Sequence, residues 1–344
     1  MRRYGLKFLL LILLFIAVFL ISFLMGRYEI SVWTTVKILI DALVRTVTGG
    51  SYGLSKTWSV EAQTIVLNVR LPRIACAALV GAALSVAGAS FQGMFRNPMV
   101  SPDLLGASTG AGFGAALAIF IGASYYAITF SAFIFGLAAV FLTYSISRLS
   151  KIKTTLALVL SGIVVGSLFQ SGTSFIKLVA DQDSQLPAIT YWLMGSLSSV
   201  KGRDVLLCAV PVLIGLIPIM LLRWRINLLT VSEAEARSMG IETTTLRFIV
   251  IVCATLMTSA SVAVSGMIGW IGLVVPHCCR LIYGQNYRQL LPSSAIAGAT
   301  FLMITDNIAR TAATSEIPLG ILTSLIGAPV FIYLIIKGGT ASES

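Results

Sequence analysis

Two pairs of ionisable residues interrupt long apolar runs in this chain. Asp306 and Arg310 stand four residues apart near the end of one run, and Arg70 and Arg73 flank Leu71-Pro72 at the start of another. The i,i+4 spacing permits an Asp–Arg pair on one helix face. A planar guanidinium also matches a carboxylate bidentately, so the three arginines suit the docking of acidic groups. A structural ion pair with interfacial anchoring accounts for the same residues equally well, and charges this close to lipid need partners in either case. A second cluster, His277-Cys278-Cys279, offers soft metal ligands. Adjacent helix residues point about 100° apart, which makes a poor coordination set, and no metal site is expected. A third, Gly50-Ser51-Tyr52-Gly53-Leu54-Ser55-Lys56-Thr57, nearly matches a phosphate-binding loop. Ser55 takes the place of the second glycine and no buried strand precedes it, so nucleotide binding is not expected there. The single histidine and the lack of a nucleophile–base pair argue against an enzyme.

The elements that hold these residues are set by composition. Of 344 residues, 57% are hydrophobic and only 11% charged, and mean hydropathy is +0.94. Soluble domains carry about 25% charged residues. The chain therefore reads as an all-α, polytopic membrane protein forming one domain over 1–344. The net charge of +11 reports topology in such a protein, not nucleic-acid binding. The five cysteines, Cys76, Cys208, Cys253, Cys278 and Cys279, all lie in apolar segments and show no disulfide framework.

A bilayer crossing takes about 20 apolar residues. Ten candidate spans follow: 6–25, 74–95, 103–122, 126–147, 155–177, 204–222, 246–266, 269–283, 292–312 and 318–336. The first lacks a small-residue cleavage site and reads as a retained span, not a signal peptide. The eighth is short, contains Pro276 and suits a broken helix. Spans 2–5 and 7–10 are offset by five, so a four-helix repeat between them would be inverted. With both termini inside, fourteen of the 24 Lys and Arg residues are cytoplasmic, and the tight loop Arg148-Leu149-Ser150-Lys151-Ile152-Lys153 supports that orientation.

One stretch is out of place among the spans. Residues 223–247, RWRINLLTVSEAEARSMGIETTTLR, are polar and rich in arginine. Ser232 and Glu235 have capping-box spacing and Gly240 sits where a helix-terminating glycine belongs. The short helix between them carries Glu233, Glu235 and Arg237 outward, with Ala236 elsewhere. A cytoplasmic contact element and an ordinary solvated loop are both compatible with it. Pro98 and Pro102 should stop span 2 and shape a tight turn that includes Asn97, which reads either as a plain turn or as a gate.

Taken together, these segments resemble the permease subunits of the FecCD-like type II ABC importers for iron siderophores, haem and vitamin B12. The likeness rests on RLPR at 70–73, GAALSVAGASFQGMFRNPMVSPDLLGASTGAGFG at 81–114, YWLMGSL at 191–197, GMIGWIGLVVPHCCRLIYG at 266–284 and DNIARTAATSEIPLGILTSLIGAPVFIYLI at 306–335. Small departures are Ser232 for a frequent glycine, Met239 for leucine and Trp270 for phenylalanine. The resemblance implies a ten-helix permease, paired as a homodimer or heterodimer, with two cytoplasmic ATPase subunits that bind ATP-Mg and an external substrate-binding protein. It implies no cofactor in this chain. It assigns Arg70, Arg73 and Arg310 to docking the binding protein, and Ser232, Glu233, Glu235, Ala236, Arg237 and Gly240 to ATPase coupling. It places Asn97, Met99 and Thr155 at a cytoplasmic gate, and spans 5 and 10 along the path. The expected cargo is a ferric siderophore or haem, with a corrinoid second. An ion-coupled secondary carrier is the other transport class; it normally needs unpaired carboxylates or histidines near the bilayer centre, and Asp306 has Arg310 beside it.

Overall fold

The computed structural model describes all residues except 1, 50–52, 54–56, 151–154, 232–234, 236–241 and 340–344. Its helices are α1 (Arg2–Ser22), α2 (Val32–Val47), α3 (Val60–Thr64), α4 (Leu71–Phe95), α5 (Ala107–Phe120), α6 (Tyr125–Leu149) and α7 (Thr155–Val179). They continue as α8 (Gln185–Met194), α9 (Gly202–Ile226), α10 (Thr243–Ser265), α11 (Ile271–Tyr283), α12 (Tyr287–Thr311) and α13 (Leu319–Gly339). Every apolar segment read from the sequence lies on one of these helices. By length and composition, six helical stretches among the described residues are apolar enough to cross a bilayer.

The sequence reading needs four corrections. The first span ends at Ser22, before its expected end at 25. A π-helical turn, Ile65–Arg70, fuses α3 to α4, so helix runs unbroken over Val60–Phe95 and contains the Arg70–Arg73 motif. The third span does not start at 103. Pro102–Leu105 is a 3-10 turn, and α5 begins only after Gly106, whose φ of +86 breaks the helix. Finally, α2 and α8 were not anticipated, because helices of 16 and 10 residues escape a search tuned to bilayer length. The loop before α8 is fixed by Asp181, which accepts hydrogen bonds from the Ser184 hydroxyl at 2.6 Å and amide at 2.8 Å. Those bonds hold its carboxyl below the usual range.

The core forms around α4, which packs on α9, α10, α11 and α12. The apolar windows of α3–α4 and of α10 are each 78% buried, against 11% for α1, so α1 lies at the periphery. Lipid offers no hydrophobic drive between helices, and close association relies on small residues that let backbones touch. Gly81 and Gly298 meet reciprocally: a Cβ on either would lie 2.2 or 2.3 Å from the other's carbonyl oxygen. A Cβ on Gly88 would fall 1.8 Å from the Gly272 oxygen. Gly88→Val should therefore prise α4 from α11, at or above the upper end of the ~1–3 kcal/mol usual for overpacking. Gly202→Ala, at a position with open space, should leave thermal unfolding in detergent unchanged; equal behaviour of the two variants would refute the close contact.

Candidate functional site

The α4 helix carries functional candidates at both ends, about 37 Å apart at ~1.5 Å per residue. At its start, Arg73 wraps the Asp306 carboxylate: Nε donates to Oδ1 at 2.9 Å and to Oδ2 at 3.1 Å, and Nη2 lies 2.9 Å from Oδ1. Its Nη1 donates to Glu316 Oε1 at 2.9 Å. Arg310 shares Asp306 from the other side, with Nε 3.4 Å from Oδ2. Arg310 Nη2 also donates to the Ser22 carbonyl at 2.9 Å and to Asn307 Oδ1. Arg70 stands apart from the carboxylates and donates to the Phe23 and Tyr28 carbonyls. All three arginines and Asp306 are buried, at 3%, 6%, 6% and 1% exposure. Two guanidinium groups thus meet two carboxylates, and among the described residues the partners of the third, Arg70, are backbone oxygens. The expected Asp306–Arg310 pair forms, but the tighter bond joins Asp306 to Arg73, 233 positions away. Sequence spacing does not reveal that bond. Glu316 was missed altogether; its one signal was an acidic residue, among only 13 in the chain, in a polar break close to Arg310.

At the other end, α4 stops at Arg96, a non-glycine residue with φ +53. Such backbone is uncommon and needs outside support. Arg96 Nε supplies some by donating to the Leu229 carbonyl at 3.0 Å. In the turn that follows, Asn97 Oδ1 accepts from the Met99 amide at 2.9 Å, and both residues are exposed. Thr155, half-buried, is the first residue of α7. Beneath the turn, buried Gln92 donates to the Val100 and Gly272 carbonyls at 3.2 and 3.3 Å and accepts from Arg280 Nη2 at 2.6 Å. Arg280 also donates to the Tyr287 hydroxyl at 3.4 Å, and the Tyr287 amide donates to Asn227 Oδ1 at 2.8 Å. The turn and the 3-10 segment Asn227–Leu229 are therefore tied together twice. That segment lies inside the polar stretch 223–247. Within the stretch, Glu235 is helical and exposed; Ser232, Glu233, Ala236, Arg237 and Gly240 lie outside the described residues.

Midway along α7, Ser167, Gln170, Ser171 and Ser174 are exposed together. An open cavity of about 490 Å³ lies where α8, the 266–270 turn and α13 meet, lined in part by Met194, Met267, Gly320 and Ser324. The turn is shaped by positive φ at Gly266 (+68) and Trp270 (+71), which makes α11 a short helix of 13 residues containing Pro276. Among the described residues, no group of three or more His, Cys, Asp or Glu side chains could hold a metal ion.

Known proteins resemble this chain in sequence and in fold. The FecCD transport family matches residues 13–337. The molybdate import system permease protein MolB of Haemophilus influenzae is 39% identical over 280 residues, covering 80% of this chain and 83% of MolB. The hemin transport system permease protein HmuU of Yersinia pestis is 37% identical over 280 residues, covering 79% and 83%. Other relatives are named for cobalamin and ferric citrate import. A solved metal-chelate type ABC transporter, in an inward-facing conformation, superposes with a TM-score of 0.84 at 36% identity, covering 95% of this chain and 97% of that one. Permeases of this kind are not themselves enzymes, and ATP hydrolysis belongs to a separate subunit. The chain thus belongs to the FecCD transport family, as a multi-pass membrane permease subunit of an ABC importer.

Proposed function

We propose that this permease carries an iron chelate, a ferric siderophore or haem, across the cytoplasmic membrane through a path shared with a second permease. Both termini are cytoplasmic, ten helices span the bilayer, and the sets α4–α7 and α10–α13 form inverted repeats. Two ATPase subunits bind ATP-Mg and press on the stretch 223–247, while an external binding protein docks over the Arg70–Arg73–Arg310 end. The observation that carries this reading is the exposed polar stripe on α7. The Ser167 and Ser174 hydroxyls bond carbonyls one turn back, but Gln170 and Ser171 between them are unsuited to hydrocarbon, and an exposed polar stripe within a span suits a water-lined path. The excess positive charge of the arginine network suits an acidic docking partner. Exposed Asn97 and Met99, with Thr155, form the inner gate.

Iron chelate as cargo is supported by the hemin and ferric citrate relatives and by the metal-chelate transporter of the same fold. The 39% identity to MolB makes an oxyanion such as molybdate the competing reading, and the cobalamin relative does the same for a corrinoid. The test is binding of ferric siderophore, haem, corrinoid and molybdate to the cognate binding protein, followed by ATP-dependent uptake into vesicles. Selective uptake of corrinoid or molybdate would displace iron.

An intact chelate needs no metal ligands from the wall. His277→Asn and the double replacement of Cys278 and Cys279 by Ala should therefore leave the metal content of the purified permease at zero, as in the wild type. Elemental analysis checks this, and a stoichiometric metal lost in those variants would show that the chain handles ions directly.

A further inference from the structure

The α2 helix has an apolar face that none of the described residues covers. Val32, Trp33, Val36, Ile40, Leu43 and Val47 are 38–78% exposed. At 100° per residue they fall within an arc of about 100°, the width of a helix face built to bury against something. The opposite face is already used. Thr35, Ile38 and Asp41 are buried, and Ile38 belongs to the same core cluster as Val66 of the π-helical turn. So α2 is held down on one side and bare on the other.

Its neighbours fix its level in the membrane. α1, whose outward leucines and isoleucines are exposed along its length, ends at Ser22, nine residues before the α2 cap Ser31. Arg70, at the head of α4, ties down the connector by donating to the Phe23 and Tyr28 carbonyls. α2 therefore lies beside the end of one membrane helix and the start of another, where hydrocarbon gives way to water. Its charge is small. Asp41 pairs with Arg45 at 2.8 Å, and Lys37 remains, with its ammonium 5.5 Å from the Trp33 ring centroid. Tryptophan at the rim with a neighbouring lysine is the usual furniture of a membrane boundary. The face continues the exposed leucine and isoleucine surface of α1, which is built for lipid.

We propose that α2 lies in the plane of the membrane, with its apolar face sunk into the lipid headgroup and acyl boundary by about 5–10 Å. It continues the lipid-facing surface of α1 and anchors the head of α4, where the arginine network sits. Apolar burial drives the contact, so zwitterionic lipid suffices. The proposal rests on the membrane assignment alone and is independent of the cargo.

The full-length permease is tested in phosphatidylcholine vesicles, with and without phosphatidylglycerol. A bimane label is placed on Leu43→Cys, with Leu13→Cys in α1 as the lipid reference and exposed Asp183→Cys before α8 as the water reference. Signal from the native cysteines is subtracted using the labelled parent chain. Brominated phosphatidylcholine should quench the Leu43 label several-fold more than the Asp183 label, equally in both vesicle types. Aqueous iodide should do the reverse. Iodide quenching at Leu43 equal to that at Asp183 would overturn the proposal, and so would shielding that appears only when a soluble external protein is added. Absence of lipid quenching at Leu13 would instead count against the membrane placement of the chain itself.

Discussion

Replacing Arg73 with glutamate should cripple the permease by unfolding one end of it, beyond any loss of a docking charge. Arg73 supplies the closest ionic bonds to both Asp306 and Glu316. Reversal would leave three carboxylates facing one another, with Arg310 as the remaining ionic partner of Asp306. Removing one partner of a buried ion pair typically costs about 3–5 kcal/mol, because the stranded charge keeps its desolvation penalty. Thermal unfolding in detergent should show a large loss for Arg73→Glu and a smaller one for Arg73→Lys, which retains the charge without the fork. Arg70→Gln should be milder still, since its partners are carbonyls. A binding-protein assay on the stable variants then isolates docking. If Arg73→Glu unfolds like the wild type, Asp306 and Glu316 have other partners in the working complex, and the network as described is wrong.

The second large effect concerns the polar stretch 223–247. Exchanging 230–242 for a Gly/Ser linker should reduce ATP-driven uptake to background while the permease still assembles in the membrane. The reason lies in the joints around it. Leu229 is bonded to Arg96, and Asn227 is bonded to the amide of Tyr287. Under the proposed coupling, force passed to the adjoining Asn227–Leu229 segment reaches the Asn97–Met99 turn through short, directional contacts, whereas a Gly/Ser linker at 230–242 transmits none. Arg96→Asn tests the joint separately. Asparagine tolerates the left-handed backbone at this position but cannot reach Leu229. Uptake per ATP hydrolysed should fall while thermal stability changes little. Normal uptake by the linker chain would exclude 230–242 from energy coupling.

How much of this was legible beforehand differs from residue to residue. The apolar segments announced themselves because bilayer crossing demands a run of set length. The Asp306–Arg310 pair followed from helical periodicity. Small-residue runs such as Ala77–Ala83 signalled close helix packing, although they could not say that Gly81 meets Gly298. α2 and α8 were hidden because, at 16 and 10 residues, both fall below the length searched for, and neither carries a complete capping signature. Pro102 marked a turn but not the 3-10 geometry that shortens α5.

The sequence by itself therefore determined the solvent for which each segment is built, the family to which the chain belongs and the short-range pairs within single helices. Those properties depend on composition and on spacings of a few residues, which a linear chain displays directly. Tertiary structure alone decided that Arg73 holds Asp306 and Glu316 from more than two hundred positions away, and that Arg70 is offset by carbonyls. It alone bound Gln92, Arg96 and Asn227 into one assembly at the C-terminal end of α4. Such contacts are set by which helix faces pack together. In a bilayer that choice rests on backbone fit and polar satisfaction, and neither has a period that can be read along the chain.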